Sequence, residues 1–171
     1  ILTYFYQGNE TTLSTKDELV KQMPFINKQF LTHKEFAQAE VGDIFEKKKI
    51  NKADKKHVYT LESMYLENTG NLEFKVQSLP KMAQLTSVNN IRVRDFNHDG
   101  YLDIFLTGNY YEISTQLSRL DASKGELFLN DKNGHFYYEP SPKVFIKGVV
   151  RKVEIIEISG SYFLLAGINN E

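Results

Sequence analysis

The sequence predicts a mainly β fold of repeated four-stranded units, with a short-helix insertion near the N-terminus. Three observations predict it. Short runs rich in aromatic and β-branched residues alternate with Asn-, Asp- and Gly-rich turns from residue 57 onward. A shift of 62 residues lays one such hairpin on another, with Asn68 on Asn130, Phe74 on Phe136 and Pro80 on Pro142. The same shift puts Val93 on Ile155 and Asp95 on Glu157, and Gly108 falls on Gly167 once the later turn is shortened by three. A long period with four strands per unit is what β-propeller blades show. The expected architecture is one complete blade over 88–142, a partial blade from 1–11 and 57–80, and the start of a third over 149–171.

In order along the chain, Leu2 to Tyr6 reads as a strand and Gln7 to Glu10 as a turn. Residues 12–56 read as short helices inserted among strands. Thr15 with Glu18 and Thr32 with Glu35 make two capping boxes, Pro24 ends the first helix, and Val41, Ile44 and Phe45 suggest another helical turn. The lysines 47, 48, 49, 52, 55 and 56 read as a solvated face, with a patch for polyanions as the other reading. Ser63–Glu67 and Leu72–Val76 form a hairpin across Asn68-Thr69-Gly70-Asn71. Strands at Asn90–Asp95 and Leu102–Thr107 flank an acidic loop. Glu126–Asn130 with Phe136–Tyr138 make a second hairpin, and Lys152–Ile158 with Tyr162–Ala166 a third across Ser159-Gly160-Ser161. Residues 110–124 read as an insertion that lengthens the repeat.

Bulk properties narrow the function. The chain has 171 residues, 41% hydrophobic and 25% charged, enough for a real core. Its 21 basic and 22 acidic side chains give a net charge of -1, which offers no basic face for nucleic acid. Cysteine is absent, so disulfides, thiol catalysis and thiolate metal sites are excluded. No apolar run is long enough to span a bilayer, and no signal-like segment appears. The chain opens directly in strand-like sequence, which reads as a piece of a longer protein.

The acidic loop is the most informative stretch. In Asp95-Phe96-Asn97-His98-Asp99-Gly100-Tyr101-Leu102-Asp103, oxygen side chains occupy positions 1, 3, 5 and 9, and glycine occupies position 6. Such spacing points several hard donors at one ion and permits the sharp turn, so the loop reads as a calcium site. Close carboxylates repel unless a cation lies among them. The other reading is a polar turn between strands. Position 12 is Leu106, inside a strand-like alternation, which excludes an EF-hand. In the third unit Ser159-Gly160-Ser161 replaces the loop, so a single metal site is expected.

The run from Val93 to Leu106, strand, D-x-N-x-D-G-x-x-D loop and strand, resembles the FG-GAP/VCBS-type repeats, bacterial relatives of the integrin-type β-propeller. Leu106-Thr107-Gly108-Asn109-Tyr110-Tyr111 followed by Arg119-Leu120-Asp121-Ala122-Ser123-Lys124-Gly125 is similar to the C-terminal part of exported VCBS-repeat proteins of ASPIC/UnbV-like architecture. Asp17 to Pro24 is similar to their helical insertion, and Tyr65 to Pro80 to their hairpin. Lys124 departs from that pattern, which has an aromatic there. The resemblance implies a bladed β fold, an exported protein, and calcium held by Asp95, Asn97, Asp99, the Tyr101 carbonyl and Asp103.

No enzyme signature stands out. His33, His57, His98 and His135 are scattered, and there is no nucleophile elbow or phosphate-cradling loop. The insertion after Asn109 carries Tyr110, Tyr111, Arg119 and Asp121, residue types that serve glycan or protein contacts on loops. The alternative is that they brace the loop. The expected function is a non-catalytic, calcium-binding module of an exported bacterial protein, for surface interaction or glycan handling. The alternative is a polysaccharide-active hydrolase or lyase whose catalytic groups lie largely elsewhere.

Overall fold

A computed structural model describes residues 1–113, 118–140 and 144–169. Pro142, which closes the expected 88–142 unit, and part of the 110–124 insertion lie outside the described residues. The chain is mainly β and divides into two compact units, Ile1–Val58 and Tyr59–Glu171.

In the first unit, β1 (Thr3–Tyr6) pairs antiparallel with β2 (Asn9–Thr12). The turn expected over Gln7 to Glu10 is confined to Gln7-Gly8, both at positive φ, and the polar run after it is a strand. Five short helices follow: α1 (Lys16–Gln22), α2 (Phe25–Gln29), α3 (His33–Ala37), α4 (Val41–Ile44) and α5 (Lys47–Lys52). Both expected capping boxes form. Thr15 Oγ1 accepts from the Glu18 N–H and Glu18 accepts from the Thr15 N–H; Thr32 and Glu35 repeat the exchange. Helices this short are unstable alone, so caps and a shared core hold them. The core is Leu19, Ile26, Phe36, Ala39 and Ile44, with Phe30 set edge-on to Phe36. No residue of the lysine-rich α5 is buried.

Among the described residues, the second unit holds three antiparallel sheets. β3 (Met64–Gly70) pairs with β4 (Glu73–Ser78). A meander of β5 (Val88–Arg94), β6 (Asp103–Gly108), β7 (Glu126–Asn130) and β8 (Phe136–Glu139) forms a four-stranded sheet in sequence order. β9 (Val149–Ile158) pairs with β10 (Ser161–Asn169).

The central sheet is apolar on both faces because β6 reads Asp-Ile-Phe-Leu-Thr-Gly, buried throughout, and side chains alternate along a strand. Ile104 and Leu106 point one way, joined by Phe128 and packed with Ala83, Leu79, Met82, Phe136 and Tyr138. Tyr65 of β3 meets the Phe136 ring edge-on on that side. Phe105 points the other way, into Val150, Val153, Leu164 and Ala166 of β9 and β10. The central sheet is therefore sandwiched between the two hairpins.

Pairs of hairpins share their strand registers. Leu66↔Val76 and Asn68↔Phe74 in the first hairpin recur as Phe128↔Tyr138 and Asn130↔Phe136. The turns match as well: the Gly70 N–H donates to Asn68 Oδ1 and the Lys132 N–H to Asn130 Oδ1, both at 2.9 Å. Val88↔Gly108 recurs as Val150↔Ile168, each beside a β-bulge that skips one residue, Asn89 or Arg151. This corrects the sequence alignment at one point. Gly108 lies on Ile168, not Gly167, because the shift along the second strand is set by ladder partners rather than by matching glycines.

Candidate metal centre

The loop from Asp95 to Asp103 joins β5 to β6 at one end of the central sheet. Its side-chain oxygens fold the loop onto its own backbone. Asp95 accepts from the Asp99 N–H at 3.1 Å and the Gly100 N–H at 2.8 Å. Asn97 Oδ1 accepts from the Asp99 N–H and Asp99 Oδ1 from the Tyr101 N–H, each at 3.0 Å. His98 and Gly100 both take positive φ, the latter at 91°, which is why glycine suits that position.

Electrostatics follow from this wrapping. Desolvation acts to raise the Asp95 pKa, but N–H donors at Gly100, Asp99 and His98 together outweigh it and hold the carboxyl below its usual range. The Lys132 ammonium lies 3.7 Å from Asp99 Oδ2 and 5.5 Å from the centre of the Tyr101 ring, so a cation already sits beside the loop.

Asp103 plays a different part. It is fully buried, and its two oxygens accept from the Phe96 N–H and the Asn130 N–H, each at 2.9 Å. It thus ties the loop to the end of β7, and the Asn130 amide returns a bond to the Leu102 carbonyl at 3.2 Å.

For calcium, the donor chemistry fits: Asp95, Asn97, Asp99 and Asp103 supply hard oxygens on one turn. The arrangement is less closed than the spacing predicts. Among the described residues, no three His, Asp or Glu side chains are gathered closely enough to hold a metal ion. The N–H bonds and a cation are not exclusive, since each carboxylate oxygen carries a second lone pair.

The other candidates sit beyond β6. Tyr110 exchanges backbone hydrogen bonds with Leu120 at 2.8 and 3.0 Å, closing the base of the loop. The Arg119 guanidinium lies 4.9 Å from the centre of the Tyr111 ring. Asp121 uses its carbonyl, which accepts from Lys124 Nζ at 3.0 Å. Arg119 and Asp121 are both exposed; the structure joins Arg119 to Tyr111 and Asp121 to Lys124.

Sequence reasoning missed the hub beneath them. Asn109 is buried at φ 83°; its amide donates to the Ser123 and Gly148 carbonyls and accepts from the Ser123 N–H, all at 2.9 Å. Asn89, the bulged residue, donates to the Asn109 carbonyl at 2.9 Å and the Val150 carbonyl at 3.1 Å. Glu126 clamps Ser123 Oγ and the Lys124 N–H at 2.7 Å each. The Gly-Asn pair after an apolar strand was the available signal.

Neither family models, nor curated proteins, nor solved structures give a match to this chain. No helix among the described residues is long and apolar enough to cross a membrane.

Proposed function

We propose that this chain is a calcium-stabilised module built from β-propeller-type repeats of the FG-GAP/VCBS kind, belonging to an exported protein and serving surface interaction or glycan handling. The observation that carries the reading is the acidic turn at Asp95–Asp103, which offers hard oxygens at alternate positions where two strands of a four-stranded sheet meet. The repeated registers and bulges support the bladed part.

The ion's role in this reading is structural. It neutralises neighbouring carboxylates and stiffens the β5–β6 connection. At millimolar calcium and the affinities of extracellular modules, linkage contributes about 0.5–2 kcal/mol. The exposed Tyr110 and the stacked Tyr111–Arg119 pair supply the contact surface, with Asp121 at its margin.

Calcium titration of the metal-free chain by calorimetry tests the first part. Saturable binding with one site per chain supports it; no heat and no shift of melting temperature at millimolar calcium overturns it. A glycan array tests the second part, with Tyr111→Ala as the variant that lowers binding.

A further inference from the structure

The two outer hairpins are halves of the same unit. By register, β3–β4 matches β7–β8, and β9–β10 matches β5–β6. In the central sheet those halves are joined by the β6–β7 ladder, with Ile104↔Phe128, Phe105↔Leu127 and Leu106↔Glu126. Among the described residues, the matching edges of β10 and β3 carry no strand partner.

The exposed apolar residues fall where their counterparts are buried. Leu66 is 54% exposed and its counterpart Phe128 0%; Leu165 is 59% exposed and its counterpart Phe105 3%. Phe74 and Val76 are exposed where Phe136 and Tyr138 pack into the core. Ile91 and Val93 are exposed too, although their ladder partners Leu106 and Ile104 on the same face are buried. Long apolar edges of this kind invite pairing with another chain.

We propose that a second copy of this chain is the occupant: β10 of one copy pairs antiparallel with β3 of the next, completing a sheet in the order β9-β10-β3-β4. Transferring the central ladder sets the register as Leu164↔Leu66, Leu165↔Tyr65 and Ala166↔Met64, the second residue of each pair coming from the second copy. The second copy is favoured because this chain carries both halves in complementary register. The same docking brings β9–β10 of one copy over Ile91 and Val93 of the next. Each copy uses one edge to give and another to receive, so the contact is head-to-tail and builds rings or open arrays rather than a twofold dimer. The proposal rests on the repeat part of the reading above and not on calcium, so its failure leaves metal binding standing.

The cysteine-free chain makes the test clean. The Leu165→Cys and Tyr65→Cys variants of the 171-residue chain are mixed under mild oxidation. Directly opposed residues in an antiparallel pair lie about 4.5–5.5 Å apart at Cα, within disulfide reach. The expected result is a covalent heterodimer, formed about tenfold more than in the out-of-register mixture of Leu165→Cys with Glu67→Cys. Sedimentation of the unmodified chain, expected to show mass rising with concentration, guards against a variant that fails to fold. A monomer at all concentrations overturns the proposal, as does cross-linking that does not distinguish the two mixtures.

Discussion

The Asp103 carboxylate, buried at the start of β6, accepts a hydrogen bond from the Asn130 N–H at the end of β7, two strands' ends fastened at 2.9 Å. Its other oxygen takes the Phe96 N–H. Asp103→Ala strands both donors, and each buried unsatisfied group costs about 1–3 kcal/mol. Urea unfolding of Asp103→Ala is expected to show the second unit destabilised by about 2–4 kcal/mol. Asp103→Asn, which keeps one acceptor oxygen, is expected to lose less.

Calcium is expected to raise the melting temperature of the second unit by about 1–8 °C at millimolar concentration, following from the linkage estimate above. Asp99→Ala removes the shift. Scanning calorimetry in calcium and in chelator measures it; the first unit's transition serves as the internal control, since the chain has two compact units.

The acid side of the stability curve belongs partly to the capping boxes. The Thr15 and Thr32 N–H groups hold the Glu18 and Glu35 carboxyls below their ordinary pKa, with the threonine hydroxyls adding to the effect. Their folded pKa lies below the unfolded one. The stabilisation is therefore fully present above the ordinary carboxylate range of about 4 and is lost as pH falls through the lowered values. Far-UV circular dichroism of Glu18→Gln with Glu35→Gln is expected to show helix loss whose acid dependence is flatter than in the parent.

Asn109 holds the loop that carries Tyr110 and Tyr111. Asn109→Ala deletes three buried side-chain hydrogen bonds and places alanine at a φ of 83°. The expected loss is about 2–4 kcal/mol, with hydrogen exchange quickening first at Ser123.

Gly108 admits no side chain. A Cβ there would overlap the Ser87 carbonyl oxygen, so Gly108→Ala must displace backbone. The expected outcome is loss of the second unit's cooperative melting, while the capped helices of the first unit keep theirs.

Much of this fold was legible in the residues. Thr15-Glu18 and Thr32-Glu35 declare helix starts because the cap chemistry is local. The hairpin turns at Asn68–Asn71 and Asp131–Gly134 declare themselves because Gly and Asn are the residues that tolerate positive φ most readily, as Gly70, Asn71 and Gly134 show. What was not legible depends on distant partners. Asn9 and Glu10 are polar and read as the end of a turn, yet β1 supplies a ladder for Asn9–Thr12. Asp103 reads as one of four side-chain metal donors, and only the approach of Asn130 shows that it fastens strands. Asn89 carries no motif and the Gly108-Asn109 pair signals no more than a turn, since their bonds reach Val150 and Gly148.

The bulges at Asn89 and Arg151 have a geometric result. An extra residue bends its strand and deepens the local right-handed twist. Here it falls at matching points of β5 and β9, and the interruption leaves the Arg151 carbonyl free to accept from the Asn90 side-chain amide at 2.6 Å. The two bulges thus meet across the layers, where Asn89 also bonds the Val150 carbonyl and Asn90 accepts from the Val153 N–H, so the layers are fastened by polar bonds as well as by the side chains packed between them.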